Sequence, residues 1–280
     1  MKNILSFVFL VLICVSTLAQ EQFIFKVKIK PNKTYTKQLY TVGRNEITFV
    51  SDKEAINDST MQSPIIIESD SQMTVIEKTQ ALDENGEIPT TLVYDKMLTK
   101  KTINGDEDST KNNPYAGMKI MGKYDKNFKL KIEQITGDYI TQQMKDLLIN
   151  TLEQIQQGIE FPERPLRVGD SFDNQIPLTI PIEGMSPIVI YNHMKLLLTS
   201  IKDNMAYFKN EYNISFQMQE EDLSIEASGS GTGTSVYDIE ENYLIKNTSQ
   251  IPMNFIVNVS EGKTIKMEIV TNSQHHTTIE

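Results

Sequence analysis

The chain has 280 residues, of which 27 are basic and 37 acidic, and its formal net charge at pH 7 is −10. An acidic chain without clusters of lysine and arginine is not expected to bind nucleic acid, or to dock on anionic lipid headgroups through a basic patch. There is one cysteine, Cys14, so disulfides within the chain are excluded.

The first nineteen residues have the pattern of a secretory signal peptide. Lys2 supplies a positive charge, residues 4–15 form an apolar core too short to span a bilayer, and residues 17–19 end in the small residue Ala19. No small residue precedes Cys14, so we do not expect a lipoprotein anchor. Cleavage before Gln20 predicts an exported protein, periplasmic or secreted, with no cysteine and no transmembrane anchor. We also predict no cofactor.

Apolar and polar residues alternate along most of the remaining chain, which is typical of strands with one buried face. The clearest runs lie at residues 25–29, 128–132, 212–218 and 265–269. Sequences rich in Asn, Asp and Gly separate such runs at residues 83–86, 104–105, 203–204 and 261–262. We predict one β-rich domain over residues 20–280, with strand-rich halves at about residues 22–136 and 165–271.

One segment between these halves follows a helical period instead. From Asp138 to Gly158 apolar residues, Met144 and Leu148 among them, recur every three or four positions, and the opposite face is polar. Asp138 suits the N-cap or the first turn of a helix, and Gly158 suits the C-cap. The predicted fold class is therefore mostly β (α+β), a curved antiparallel sheet or half-barrel packed around one central amphipathic helix at residues 138–158.

Three glycines alternate with hydroxyl residues in the second half, at Gly229, Gly231 and Gly233. The flanking residues alternate as a strand, so the glycines share one face and form a stripe without side chains. Such a stripe permits sharp sheet curvature or close packing, and it equally permits a groove for an apolar ligand. The spacing lacks the fingerprint of a phosphate-binding loop.

Residues that could carry chemistry are few. The histidines are His193, His275 and His276, and the last two fall in a C-terminal segment, residues 274–280, that we expect to fray. No nucleophile motif and no metal-ligand spacing is present, so we predict neither an enzyme nor a metal site. Paired carboxylates brought together from different strands would leave no local motif, and that alternative stays open.

The end of the signal, the central helix and residues 161–172, FPERPLRVGDSF, together resemble a family of secreted bacterial proteins of uncharacterised function. This resemblance implies no reaction and no catalytic residues. The order of elements is also similar to the half-barrel of periplasmic lipoprotein carriers, in which a curved antiparallel sheet wraps around helix and encloses an apolar cavity.

Two functions are compatible with these features. The first is an exported, non-enzymatic module that binds an apolar or lipid-like ligand in the bacterial envelope, with Gly229, Gly231, Gly233, Met144 and Leu148 lining the site. The second is a structural or interaction protein that binds a protein partner in the envelope or outside the cell.

Overall fold

The computed structural model describes residues 22–51, 64–108, 115–155, 159–180, 188–219, 223–259 and 263–280. The predicted signal peptide, the predicted C-cap Gly158 and the predicted turn at residues 261–262 lie outside the described residues. The described elements, in chain order, are β1 Thr34–Ser51, β2 Ile65–Thr79, β3 Ile88–Ile103, β4 Asp106–Asp108, β5 Lys119–Tyr124, β6 Leu130–Thr136, α1 Gln142–Ile155, β7 Ser171–Ile180, β8 Ile188–Lys202, β9 Met205–Gln219, β10 Leu223–Asp238, β11 Tyr243–Val259 and β12 Lys263–Ile279.

All of these strands belong to one antiparallel sheet. The strand order is β6-β5-β3-β2-β1-β12-β11-β10-β9-β8-β7, and the short β4 pairs with β3. Most neighbours are joined by hairpins, whereas β1 and β12 come from opposite ends of the chain. The predicted mostly β, antiparallel architecture with a single helix is confirmed for the described residues.

The turn predictions rest on residues that tolerate positive φ, and the structure places such residues where the strands reverse. Asn104 and Gly105 have φ of 52° and 89°, and Asp203 and Asn204 have φ of 51° and 59°. Two consecutive residues with positive φ form the mirror-image turn that matches the right-handed twist of a hairpin.

Buried side chains lie on one face of the sheet, which we call the inner face, in two clusters. The first core cluster belongs to the second half and the N-terminal segment, with Phe25, Leu166, Phe172, Met194, Leu196, Leu198, Ala206, Phe208, Tyr212 and Tyr237. The second core cluster belongs mainly to the first half, with Ile29, Tyr35, Ile88, Met118, Ile120, Tyr124, Leu130, Ile132 and Ile135.

The N-terminal segment connects the two clusters and is not the strand that its alternation predicts. Phe25 is buried in the first core cluster and Ile29 in the second, while Val27 is exposed. Its backbone bonds go to separate places: Phe23 pairs with Leu166 in an isolated bridge, and the Lys28 amide donates to a turn carbonyl at 2.9 Å. Tertiary packing therefore decides the conformation of this segment.

The helix begins later than predicted, because its N-cap is Thr141 rather than Asp138. The Met144 amide donates to Thr141 Oγ1 at 3.3 Å, which is the bond of an N-cap to the third helical residue. Leu148 and Leu152 pack against the second core cluster. The helix backbone lies closest to β6 and β7, the two edge strands.

This position of the helix requires the sheet to bend. Eleven strands in one path would span about 48 Å if the sheet were flat, at roughly 4.8 Å between strands. A helix of 14 residues is only about 21 Å long. Because both edge strands reach the same helix, the sheet curves toward its inner face.

The C-terminal segment is ordered strand, so the prediction that it frays is wrong. His275 and His276 pair with Leu39 and Gln38 of β1, and the Glu280 amide and carbonyl both bond to Thr34 at 3.0 Å. Unpaired termini fray, but this one lies in the middle of the strand order.

Candidate functional site

A cavity of about 280 Å³ lies between the helix and the strands of the first half, and we call it the inner cavity. Aliphatic and aromatic side chains form most of its wall. The lining residues are Lys37, Leu39, Met73, Val75, Leu92, Tyr94, Ile120, Tyr124, Leu130, Leu152 and His275. An apolar cavity with a few convergent polar groups is the usual form of a small-molecule site.

A buried ion pair lies beside the inner cavity, and of its two members Lys37 contributes to the wall. Glu77 is completely buried, and its Oε2 accepts from Lys37 Nζ at 2.7 Å. The second carboxylate oxygen accepts from the hydroxyls of Tyr124, at 2.7 Å, and Thr90, at 3.1 Å. Three donors therefore satisfy a carboxylate that would otherwise be costly to bury.

These contacts set the charge states at the cavity wall. Burial alone would lower the pKa of Lys37, but the Glu77 carboxylate more than offsets this and raises that pKa above its ordinary value. Burial, and then the adjacent Glu77 carboxylate, raise the pKa of Tyr124 well above its ordinary value. At neutral pH the wall thus presents an ammonium group that is already paired with a carboxylate, beside a neutral phenol.

Two further polar groups, Tyr94 and His275, complete the wall. Burial raises the pKa of the Tyr94 hydroxyl, and that hydroxyl has no hydrogen-bond partner among the described residues. Burial, and then the nearby Lys37 and His276, lower the pKa of His275. The imidazole is therefore neutral at pH 7, and the cavity adds no net charge to that of the ion pair.

Toward the opposite end of the strands the inner face becomes apolar again. One row of directly paired residues crosses six strands there: Ile47, Met267, Phe255, Ala227, Phe216 and Ile190. The next row contains Phe49, which is 43% exposed, and Ile265, Val257, Ile225 and Met218. We call these the apolar rows, and all but Ala227 and Met218 are only partly buried or exposed.

A row of small hydroxyl residues separates the apolar rows from the inner cavity. Thr41 pairs with Ser273 on one side and with Ser71 on the other, and Ser71 also pairs with Thr99. The hydroxyls of Ser71 and Thr99 are 3.2 Å apart, and those of Thr41 and Ser273 are 3.3 Å apart. The inner cavity and the apolar rows are therefore two separate surfaces.

The structure places the glycine stripe of β10 on the inner face, where it permits close approach of β11. A Cβ at Gly229 would lie 2.6 Å from the Pro252 carbonyl oxygen, and one at Gly231 would lie 2.9 Å from Ile251 Cα. This observation favours the packing role of the stripe. Gly229 also borders a shallow groove on the opposite face of the sheet.

The predicted ligand-lining residues are not brought together. Met144 and Leu148 lie on the helix, whose strand contacts are with β6 and β7, whereas the glycines lie on β10. Leu148 packs against the same cluster as the cavity residue Leu152, one helical turn away. The inner cavity is instead lined largely by β1, β2 and β3.

Sequence reasoning missed Lys37 and Glu77, although each carries a signal. Lys37 falls between Tyr35 and Leu39 in the alternation of β1, and Glu77 shares its face with Val75 of β2. A charged residue at an apolar position of a strand indicates either a partner on the adjacent strand or a functional group. The sequence alone does not pair these two residues, because the register of β1 with β2 is not known in advance.

Metal ligation has no support in the described ranges. No three histidine or carboxylate side chains converge there as metal ligands would. His193 Nε2 lies 3.1 Å from an oxygen of Asp173, and the neighbours His275 and His276 point to opposite faces of β12. In the same part of the chain, no helix has the length and apolarity needed to cross a membrane.

No protein-family model matches the sequence, and no curated protein matches it. Among solved structures, the chain is similar to Pseudomonas aeruginosa OccK7 (OpdD), with 7% identity and a TM-score of 0.24 over 88% of this chain and 99% of that one. It is also similar to a mutant of the Rh. blastica porin, with 11% identity and a TM-score of 0.25 over 85% and 99% of the two chains. TM-scores of this size carry no argument about fold or function.

Proposed function

We propose that the protein is an exported binding module that takes an apolar ligand into the inner cavity, with the helix packed against the curved sheet as one wall. The export half of the proposal rests on the signal pattern of residues 1–19. The observation that carries the binding half is the 280 Å³ volume with a mostly apolar lining.

The size and charge of the cavity limit the class of ligand that it can bind. With a volume of about 280 Å³, the cavity accommodates a small hydrophobic molecule or the end of one acyl chain. The ion pair of Lys37 and Glu77 has no net charge, and His275 is neutral, so the lining does not demand a charged ligand. The free hydroxyl of Tyr94 and the ammonium of Lys37 are available to a carbonyl or hydroxyl oxygen.

The test is a substitution that blocks the cavity with a larger side chain. Val75 is buried and lines the cavity, so a Val75→Phe variant places an aromatic ring in the proposed ligand volume. Thr74→Phe is the matched control, because the adjacent residue of β2 faces the opposite side of the sheet. The probe is 1-aminoanthracene, an apolar molecule whose fluorescence rises when it leaves water, titrated into wild type and both variants.

The proposal requires that wild type and Thr74→Phe bind the probe with micromolar affinity and that Val75→Phe lose at least about tenfold in affinity. Thermal unfolding of all three proteins shows whether the fold is intact. Failure of the wild type to bind, together with native mass spectra that show no co-purifying lipid, would count against ligand binding. Equal affinity in Val75→Phe would place the probe elsewhere.

A second candidate function, recognition of a protein partner in the envelope, is favoured by the apolar rows. Phe49 and its neighbours expose hydrophobic surface that the two core clusters do not cover. A photo-crosslinking residue at position 49, with position 48 on the opposite face as control, tests this in the native host. A specific crosslinked protein from position 49 alone would support it, and identical products from both positions would not.

A further inference from the structure

The outer face of β7–β11, opposite the inner face, carries a groove of about 660 Å³. An adjoining depression of about 430 Å³ shares four of its lining residues, Tyr191, Ser215, Ser228 and Asn254. These four are direct neighbours across the sheet, from β8 to β11. A second row, Gln175, His193, Asn213 and Ser230, runs beside the first. The two rows form one continuous strip, which we call the outer groove.

The polar groups of the outer groove are available to a ligand. In the described part of the chain, no hydrogen bond engages the side chains of Gln175, Asn213, Ser215, Ser228, Ser230 or Asn254. Amides and hydroxyls both donate and accept, so the strip can match a molecule that presents hydroxyl groups in either role.

The other half of the same face also carries a depression, lined in part by Gln38, Tyr40 and Gln274, but its tyrosine is already engaged. In this half of the face, Arg44 lies 3.5 Å from Glu46 and 3.2 Å from Glu68, and the Tyr40 hydroxyl donates to Asp70 at 3.2 Å. Arg44, Glu46, Glu68 and Asp70 on that half are therefore engaged within the chain. In the outer groove, by contrast, the exposed Tyr191 has no hydrogen-bond partner among the described residues, and most of the polar side chains are uncharged and unpaired.

One exposed aromatic ring stands near the β7 end of the outer groove. Tyr191 is 48% exposed and lines both depressions. Across the sheet toward β11 it is followed by Ser215, Ser228 and Asn254. In the second row, His193 Nε2 lies 3.1 Å from a carboxylate oxygen of Asp173. An exposed ring offers a flat apolar surface at low conformational cost, and flanking amides then fix the orientation of whatever stacks on it.

We propose that the outer groove binds a neutral oligosaccharide. A pyranose ring has an apolar face that stacks on an aromatic side chain and a rim of hydroxyl groups that bond to amides and serines. The groove crosses five strands, about 19 Å at roughly 4.8 Å per strand interval, which suits a chain of several sugars better than a single one. Glu226, at the margin of the smaller depression, is a further acceptor for sugar hydroxyls.

The experiment uses the full exported chain and four named probes: cellohexaose, maltohexaose, chitohexaose and mannohexaose. Each is titrated by isothermal calorimetry. We expect at least one to bind with a dissociation constant between about 10 µM and 1 mM, and Tyr191→Ala to weaken that binding by about tenfold or more. Asn213→Ala and Asn254→Ala, at exposed positions, should each weaken it several-fold.

Tyr40→Ala is the matched control, because it removes an exposed tyrosine from the other half of the same face and should leave affinity unchanged. Val75→Phe should also bind the sugar normally, which separates this site from the inner cavity. The proposal is overturned if none of the four sugars binds the intact protein, or if Tyr191→Ala binds as tightly as wild type. A melting temperature within the range of the control shows that each variant is folded.

Discussion

Gly231 has no room for a side chain, because β11 lies against β10 at this point. A Cβ there would contact the Gln250 carbonyl oxygen and lie 2.9 Å from Ile251 Cα, and both are backbone atoms that cannot move aside independently. We expect Gly231→Val to destabilise the protein by about 1–3 kcal/mol through overpacking. Thr232→Val, exposed on the opposite face of the same strand, is the control and should change the free energy of unfolding little. Urea denaturation of both variants measures the difference, and an unchanged Gly231→Val would show that β10 and β11 can separate at this point.

Gly231 also shows what can and cannot be predicted from the sequence. Alternation in β10 was sufficient to predict that the three glycines share one face. It was not sufficient to predict what approaches that face, because the contact is made by residues about 20 positions away on β11. The pair Lys37 and Glu77 presents the same difficulty over 40 positions. Local pattern predicts the face of a residue, and register between distant strands decides its partner.

His275 makes stability depend on pH. Burial, followed by Lys37 and His276, lowers the pKa of His275 in the folded protein. The unfolded chain therefore binds a proton near pH 6.5 that the folded chain does not, and stability should fall as the pH drops below about 6.5. Urea denaturation between pH 5 and 8 measures this loss, and His275→Gln should reduce it.

The control for this experiment is His276→Gln on the exposed face, which should keep most of the dependence. Asp83, Asp125 and Asp170 also have lowered pKa values, through their hydrogen bonds to Lys123, Lys129 and Arg167. Their stabilising effect is lost only below about pH 4, outside the measured range. A pH profile that is the same in His275→Gln and wild type would contradict the assignment to His275.

At the scale of the element, the helix is held at its start by Thr141. We expect Thr141→Ala to lower stability by about 1 kcal/mol, because the amide of Met144 loses its acceptor. Asp138→Ala is the matched control: the sequence suggested Asp138 as the cap, but the structure places it one turn before the helix. Thermal unfolding distinguishes the two, and a larger effect at Asp138 would move the cap back to the predicted position.

Helical periodicity predicted the existence of α1 but not its place at the two edge strands. Apolar residues such as Leu148 and Leu152 show only that one face must be covered. Which strands cover it depends on the curvature of the whole sheet, and no local pattern encodes that. The N-terminal segment is the converse case: Phe25 and Ile29 alternate as a strand would, yet each fills a different cluster. The alternation thus predicted that Phe25 and Ile29 are buried, but it did not show whether the segment pairs with a neighbouring strand.

At the scale of the whole molecule, the two halves are joined in the sheet through β1 and β12. The first half ends its part of the strand order at β1 and the second half begins at β12, so the continuity of the sheet depends on a pairing between the two ends of the chain. The last seven residues contribute to this pairing. Tyr35 pairs with Ile279, Tyr40 pairs with Gln274, and Ile279 packs against the second core cluster.

Deletion of residues 274–280 should therefore abolish cooperative unfolding, rather than trim a frayed end. It would leave one end of β1 and of β11 without a neighbour on one side and expose the buried Tyr35, in a protein whose net stability is expected to be only about 5–15 kcal/mol. Deletion of Glu280 alone is the control and should preserve the transition, since it removes one pair of backbone bonds to Thr34. Circular dichroism during heating compares the two, and a sharp transition in the longer deletion would mean that the halves hold together through the N-terminal segment and the core clusters without the end of β12.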